Sequence, residues 1–232
     1  MAYVPPTRSA FRTIVLRALR DPNGQVFPAA TVNDFIHEAL MDLSAYRPDE
    51  MTATQPWTSE STGFPSTFVA DVVDIWQMVA RVGDLRVPNM YIPHADYGDG
   101  RSGWDFLPPN ILRLGRIWLV RLQELASRDP SLEIAIYGYR YKALPSSDAS
   151  YLDLNNPVDQ FCVTQHCKML GFQMLNADRA LYQQWLAATN NTDVSPTQLA
   201  GMLTNAEASY DRARHRNTII RRRPTNAEVV SL

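Results

Sequence analysis

Residues 31–48 read TVNDFIHEALMDLSAYRP, and they separate two kinds of sequence. Val32, Phe35, Ile36, Ala39, Leu40, Leu43 and Tyr46 recur at the spacing of one helical face. Thr31 is placed to cap this helix, and Asp34, three residues on, lies near the positive end of its dipole. Arg47-Pro48 stops the pattern, because proline has no N–H to continue the ladder. Upstream, residues 7–20 carry Phe11, Ile14, Val15, Ala18 and Leu19 at helical spacing, with Arg8, Arg12, Arg17 and Arg20 largely on the other side. Asp21-Pro22-Asn23-Gly24 turns the chain between the two helices.

Downstream the character changes. Nine of the 16 prolines fall between Pro48 and Pro145, and short β-rich runs replace long stripes. FVADVVDIWQMVARV (68–82), WDFLPPNILRL (104–114) and LEIAIYGYRY (132–141) suit strands and predict a small antiparallel sheet. RIWLVRLQELASRDP (116–130) fits either a strand followed by a turn or a short helix. NMYIPHADYGDGRSG (89–103) has the glycine content of a projecting loop. The tryptophans and tyrosines of this span belong mostly to sheet core, but Trp104 follows the glycine-rich loop and either packs locally or rims an interaction surface.

After Pro145 helical patterns return. Asn156-Pro157 reads as a cap followed by proline at the first helical position, with Val158, Phe161, Cys162 and Met169 turned inward. A break over 171–176 precedes a helix with Leu181, Tyr182, Trp185 and Leu186. Ser195-Pro196 opens a last helix, striped by Leu199, Met202, Leu203, Ala206, Tyr210 and Ala213, that runs to about Arg216. The expected fold is mainly α: residues 1–47 and 146–216 form a discontinuous helical bundle, 48–145 a β-rich antiparallel insertion, and 217–232 an extended tail.

Composition excludes some classes. With 232 residues, 45% hydrophobic and 20% charged, the chain can bury one sizeable core, or a core plus a smaller satellite, which excludes disorder throughout. Cys162 and Cys167 lie about 140° apart around a helix, so they cannot bond to each other there, and a reducing compartment is expected. The N-terminal stretch lacks a leader pattern and no run approaches the ~20 apolar residues of a membrane span, so the expectation is a soluble, unexported chain. Asn190-Asn191-Thr192 matches a glycosylation acceptor but reads, in that setting, as a loop.

The net charge of -2 hides an asymmetry. Up to Asp211 there are 16 Lys and Arg against 23 Asp and Glu, whereas 212–232 holds 6 Arg against Glu228 alone. An acidic body repels phosphate, which leaves the tail as the place for nucleic-acid affinity. Yet Arg212, Arg214, Arg216, Arg221, Arg222 and Arg223 are interleaved with Ile219 and Ile220 and followed by Val229, Val230 and Leu232. A pure nucleic-acid arm gains little from those apolar residues, so the tail suits docking on a protein, its guanidinium groups on carboxylates.

Catalytic signatures are absent from the sequence. Cys162, His166 and Cys167 supply metal-binding atoms, but on a helix Cys167 is turned away from Cys162. His37 and Glu38 read as a solvated helix face, and His94 with Asp96 lacks a third group at diagnostic spacing. Gly98-Asp99-Gly100-Arg101-Ser102-Gly103 has no following Lys-Ser/Thr and is no phosphate loop. No cofactor, metal or catalytic residue is expected.

Taken together, the helix at 31–48, GFPSTFVADVVDIWQM (63–78), WDFLPPNILRL, IAIYGYRYKALPSSD (134–148) and the helical C-terminal half resemble the head-to-tail adaptor, or head-completion connector, proteins of tailed bacteriophages. The resemblance implies a non-catalytic structural subunit of the virion neck. About 12 copies would form a ring below the portal, continue the DNA channel without sequence-specific binding, and offer a platform to a downstream neck or tail protein. It implies no membrane partner. It also implies that the C-terminal segment docks on the portal. Tyr97, Arg101, Trp104, Asp105 and Phe106 are the expected contact with a neighbouring subunit or the downstream partner. The alternative is a nucleic-acid-binding protein using the basic arm.

Overall fold

The computed structural model describes residues 3–82, 90–94, 104–107, 111–189 and 193–215. In chain order its elements are α1 (Arg8–Ala18), α2 (Ala29–Tyr46), β1 (Asp49–Pro56), β2 (Val72–Val82), β3 (Met90–Tyr91), β4 (Trp104–Leu107), β5 (Ile111–Leu114), α3 (Arg116–Arg128), β6 (Leu132–Arg140), α4 (Pro157–Ala177), α5 (Arg179–Ala188) and α6 (Pro196–His215), with a 3-10 turn at Ser66–Val69. The described residues fall into two compact units: one takes the chain up to Arg47 and again from Lys142, the other runs from Pro48 to Tyr141.

The first unit is helical. Thr7 caps α1 by accepting from the Ala10 N–H at 3.3 Å. At the other end Arg20 turns through φ 58°, the Trp185 indole donates to the Leu19 carbonyl at 3.0 Å, and the fully buried Asp21 organises the turn. Asp21 Oδ1 accepts from Gln25 N–H, and Oδ2 from Val26 and Phe27 N–H, each at 2.9 Å. The α2 helix starts at Ala29 behind Pro28, which makes no side-chain cap hydrogen bond. Thr31 therefore lies inside the helix and is not its cap. Asn156 does cap α4, accepting from Val158 N–H at 2.9 Å and Asp159 N–H at 3.0 Å. Ser195 and Gln198 cap α6 reciprocally, at 3.2 and 2.7 Å.

Helix α4 is the hub, packing against α1, α2, α5 and α6. It runs unbroken to Ala177, so the break expected over 171–176 is absent. Gly171 instead lets α1 come close, since a Cβ there would lie 2.3 Å from Leu19 Cδ2. Phe11, Val15, Leu19, Phe27, Ile36, Leu40, Val163, Phe172 and Trp185 form the core of this unit. The returning strand of chain is clasped onto α1. Arg12 forks onto Asp148 at 2.6 and 2.5 Å, and Arg8 Nε reaches the same carboxylate at 2.7 Å.

The second unit holds a four-stranded antiparallel sheet in the order β1-β6-β2-β3, a β4-β5 hairpin, and α3. RIWLVRLQELASRDP resolves as helix, with Leu122 and Ala126 buried. One sheet face supplies Met51, Ala53, Ile75, Met78, Ala80, Ile134 and Ile136 to a core shared with α3, Trp57, Trp104 and Leu112. Irregular register in β2 near Val72/Asp74 and Ile75/Gln77 brings its backbone against β6 at Gly138. A Cβ on Gly138 would meet the Asp74 carbonyl oxygen at 2.2 Å.

The mainly α class is corrected. Six helices make 51% of the described residues helical, but strands contribute about 21% in a four-stranded sheet plus a small one, so the fold is mixed α/β. The strands are not an appendage to a bundle, because the sheet and α3 bury a separate core.

Two outcomes follow from this packing. Gly171→Ala should destabilise by about 1–3 kcal/mol in urea unfolding despite the helix propensity alanine brings, and Leu19→Val should recover part of it, because the obstruction is a side-chain end. Gly138→Ala, obstructed by backbone, should be recovered by no single neighbouring side-chain replacement. The second concerns acid. The Arg12 and Arg8 guanidiniums hold the Asp148 carboxyl well below the usual carboxylate range, so its contribution is present above the unfolded value of about 3.9 and is lost as pH falls. Asp148→Asn should lower Tm at pH 6, and the gap to the parent should shrink as pH is taken toward about 2. An unchanging gap would rule this out.

Candidate functional site

The C-terminal half of α2, the first turns of α4 and the last turns of α6 meet in the helical unit. Helical spacing puts Ala39, Asp42, Leu43, Tyr46 and Arg47 on one face of α2, and Val158, Cys162 and His166 on one face of α4. Tyr210, Ala213 and Arg214 come from the end of α6, which is where the chain passes into the arginine-rich terminus. Between them lies a shallow cleft lined by Ala39, Leu43, Cys162 and Ala213, with Asp42, Arg47 and Arg214 among its polar lining.

Most of the polar groups here have a partner. The Tyr210 hydroxyl donates to Asp42 Oδ2. The His166 ring lies 4.7 Å from the Tyr210 ring, and its Nδ1, without a hydrogen-bond partner, is 3.6 Å from the same Asp42 oxygen. Arg47 donates to Asp159 Oδ1, while Oδ2 accepts from Asn155 N–H at 3.2 Å and Asn156 Nδ2 at 3.3 Å. The Asp159 side chain is 1% exposed. Arg214 places its guanidinium 4.0 Å from the centre of the Tyr46 ring. Burial pushes the Cys162 thiol up to about 11, opposed by Arg47 and reinforced by Asp159 and Asp42, and burial raises Cys167 as well. Both thiols therefore stay protonated at neutral pH, which is unsuited to nucleophilic attack. Among the described residues no three His, Cys, Asp or Glu are grouped to hold a metal ion. The arrangement holds α6 in place against α2 and α4.

Of the tail residues expected to dock, Arg212 and Arg214 are described. Arg212 is exposed and its Nε donates back to the Ala208 carbonyl at 3.0 Å, whereas Arg214 is drawn into the chain's own cleft. Arg216, Ile219, Ile220, Arg221, Arg222, Arg223, Val229, Val230 and Leu232 lie outside the described residues, as do Tyr97 and Arg101. Trp104 is not a rim residue. It is 1% exposed, its indole donates to the Ile92 carbonyl at 2.9 Å, and the exposed His94 ring packs edge-on against it at 4.6 Å. Asp105 and Phe106 are half-buried on β4. Val158 and Phe161, expected inward, are 38% and 47% exposed. Asp42 and Asp159 were not anticipated, though Asp159 has a sequence signal: it is the carboxylate three residues after the Asn156 cap.

No protein-family model and no curated protein matches this sequence. No described helix is long and apolar enough to cross a membrane.

Asp159→Ala should destabilise by about 3–5 kcal/mol in urea unfolding, since it removes the buried carboxylate that Arg47 and the start of α4 share. Arg47→Met combined with Asp159→Leu should cost clearly less than the single Asp159 change. Additive losses would show that the pair is not coupled.

Proposed function

We propose that this chain is a structural subunit of a tailed-bacteriophage neck, a head-to-tail adaptor that forms a ring of about 12 copies below the portal and continues the DNA channel. The observation that carries this reading is the fixed root of the terminus. Tyr210 tied to Asp42 and Arg214 stacked on Tyr46 hold the last turn of α6 to α2, so the cationic and apolar residues beyond it start from a defined point on a folded unit. A hook works only if its shank is rigid, because ordering a free segment on a partner is penalised by lost chain entropy. Arginines interleaved with isoleucine and valine suit a protein surface bearing carboxylates better than phosphate alone. The acidic body supports the channel role, since a lumen that repels phosphate lets DNA pass. The role is structural rather than catalytic, the ring's partners are the portal above and a neck or tail protein below, and the protein resides in the virion.

Electron microscopy of the purified chain mixed with portal rings tests this directly. The full chain should add a symmetric collar to the portal, and a chain ending at His215 should keep its Tm and circular dichroism but lose the collar. A truncated chain that decorates portal as well as the parent would refute the docking role.

A further inference from the structure

The two outer faces of the Pro48–Tyr141 unit are chemically unlike. Strand register assigns the sheet's far face, the one turned from the core. Glu50 and Asp74 pair with Tyr139, Thr52 and Gln77 with Tyr137, and Arg81 with Glu133. Tyr137 is flanked by Trp76, ring centres 5.6 Å apart, and by Arg81, whose guanidinium lies 5.3 Å from its ring centre. Tyr91, at the β3 edge of the same face, is 42% exposed. This face is thus aromatic, with the carboxylates of Glu50, Asp74 and Glu133 against the single cation Arg81 among its described residues. The 3-10 turn, the hairpin and α3 of this unit all contribute to the core on the other side.

The opposite surface of the unit is the outward stripe of α3. Ile117 and Val120 are 60% and 46% exposed, and Arg121, Glu124 and Arg128 continue the same face at helical spacing. Arg116 and the neighbouring Arg113 of β5 are exposed too. An acidic protein thereby carries a patch that is cationic and apolar, set on the reverse of a patch that is acidic and aromatic.

We propose that this unit binds a second copy of itself head to tail, the α3 stripe of one chain against the half-exposed Glu50, Glu133, Tyr137 and Tyr91 side of the sheet of the next, whose middle residues Val79 and Ala135 are buried. Charge complementarity selects the occupant and the symmetry. A two-fold contact of like faces would set guanidinium against guanidinium or carboxylate against carboxylate. A head-to-tail contact sets α3 arginines on carboxylates and tyrosine rings, the groups a guanidinium both pairs with and stacks on. It also covers Ile117 and Val120 with aromatic surface. Such a contact leaves one free face of each kind on every added copy and so propagates until rotation closes it. That closure into a ring, though not the pairing itself, rests on the adaptor reading.

Sedimentation of full-length chains up to millimolar concentration tests the contact with two surface variants whose folding is checked by Tm. One, Val120→Asp with Arg121→Glu, spoils the α3 stripe; the other, Tyr91→Lys with Glu133→Lys, spoils the sheet face. The parent should self-associate, each variant alone should do so at least tenfold more weakly, and an equimolar mixture of the two should form dimers and nothing larger. A parent that stays monomeric throughout, variants that associate like the parent, or a mixture that forms no dimers would each overturn the proposal. The two readings fail separately. Dimers from the mixture by a protein that never decorates portal would sink the adaptor alone, while a normal collar built from the α3 variant would sink the head-to-tail contact alone.

Discussion

The Asp159 carboxylate is almost wholly removed from water, with a side chain 1% exposed, and the helical unit is arranged around meeting that charge. A buried carboxylate without counter-charge and donors is penalised by several kcal/mol. Here the donors come from Arg47, 112 residues away in sequence, and from the backbone and side chain just ahead of α4. The first turn of α4 is therefore satisfied only when the end of α2 is in place. The same junction is closed a second way, since Lys142 N–H donates at 2.8 Å to Ser44 Oγ, which in turn donates to the Leu40 carbonyl at 2.6 Å. The chain leaves this unit just after Arg47 and returns at Lys142. Loop-closure entropy grows only with the logarithm of length, so a long excursion between these points is tolerated once both ends are pinned.

Pinning of this kind favours a central helix that is not amphipathic. Cys162, Val163, His166 and Cys167 are all buried, and they occupy more than one side of α4 because four other helices surround it. Its first turns show apolar residues to solvent at Val158 and Phe161. Gly171 completes the arrangement by removing the Cβ that would hold α1 away. Buried polar groups thus meet near Asp42, Asp159 and Tyr210 and again at the Asp21 turn, beside the tight Gly171–Leu19 contact.

This explains which parts of the sequence could be read. Helices with one buried stripe were legible: α1 begins one residue after Thr7, α2 ends before Arg47-Pro48, and α4 and α6 begin at Asn156-Pro157 and Ser195-Pro196. Cap chemistry is local, so it could be read at α4 and α6, whereas the cap expected at Thr31 falls inside α2. Features set by a distant neighbour were not legible. Gly171 looked like a helix break because its reason for being glycine is Leu19, far upstream. Phe161 and Val158 looked inward because periodicity says an apolar residue has a side, not that the side is covered. The β-branched and aromatic content of 116–130 could not choose between helix and strand until Leu122 and Ala126 had a sheet to pack on. Trp104 beside glycines suggested a rim, but its indole N–H found the Ile92 carbonyl and the ring went into the core. The weight of that core is also what moves the fold from mainly α to mixed.

The two described arginines of the cationic terminus show how a charge run divides its labour. Arg212 and Arg214 are two positions apart, about 200° around a helix of ~3.6 residues per turn, so both cannot face the same partner. Arg214 is spent inside the chain on the Tyr46 ring, and replacing it would loosen the end of α6 from α2. Arg212 faces outward and is free of that structural duty. Counting arginines therefore overstates the docking charge, and the separation falls where α6 leaves its cleft.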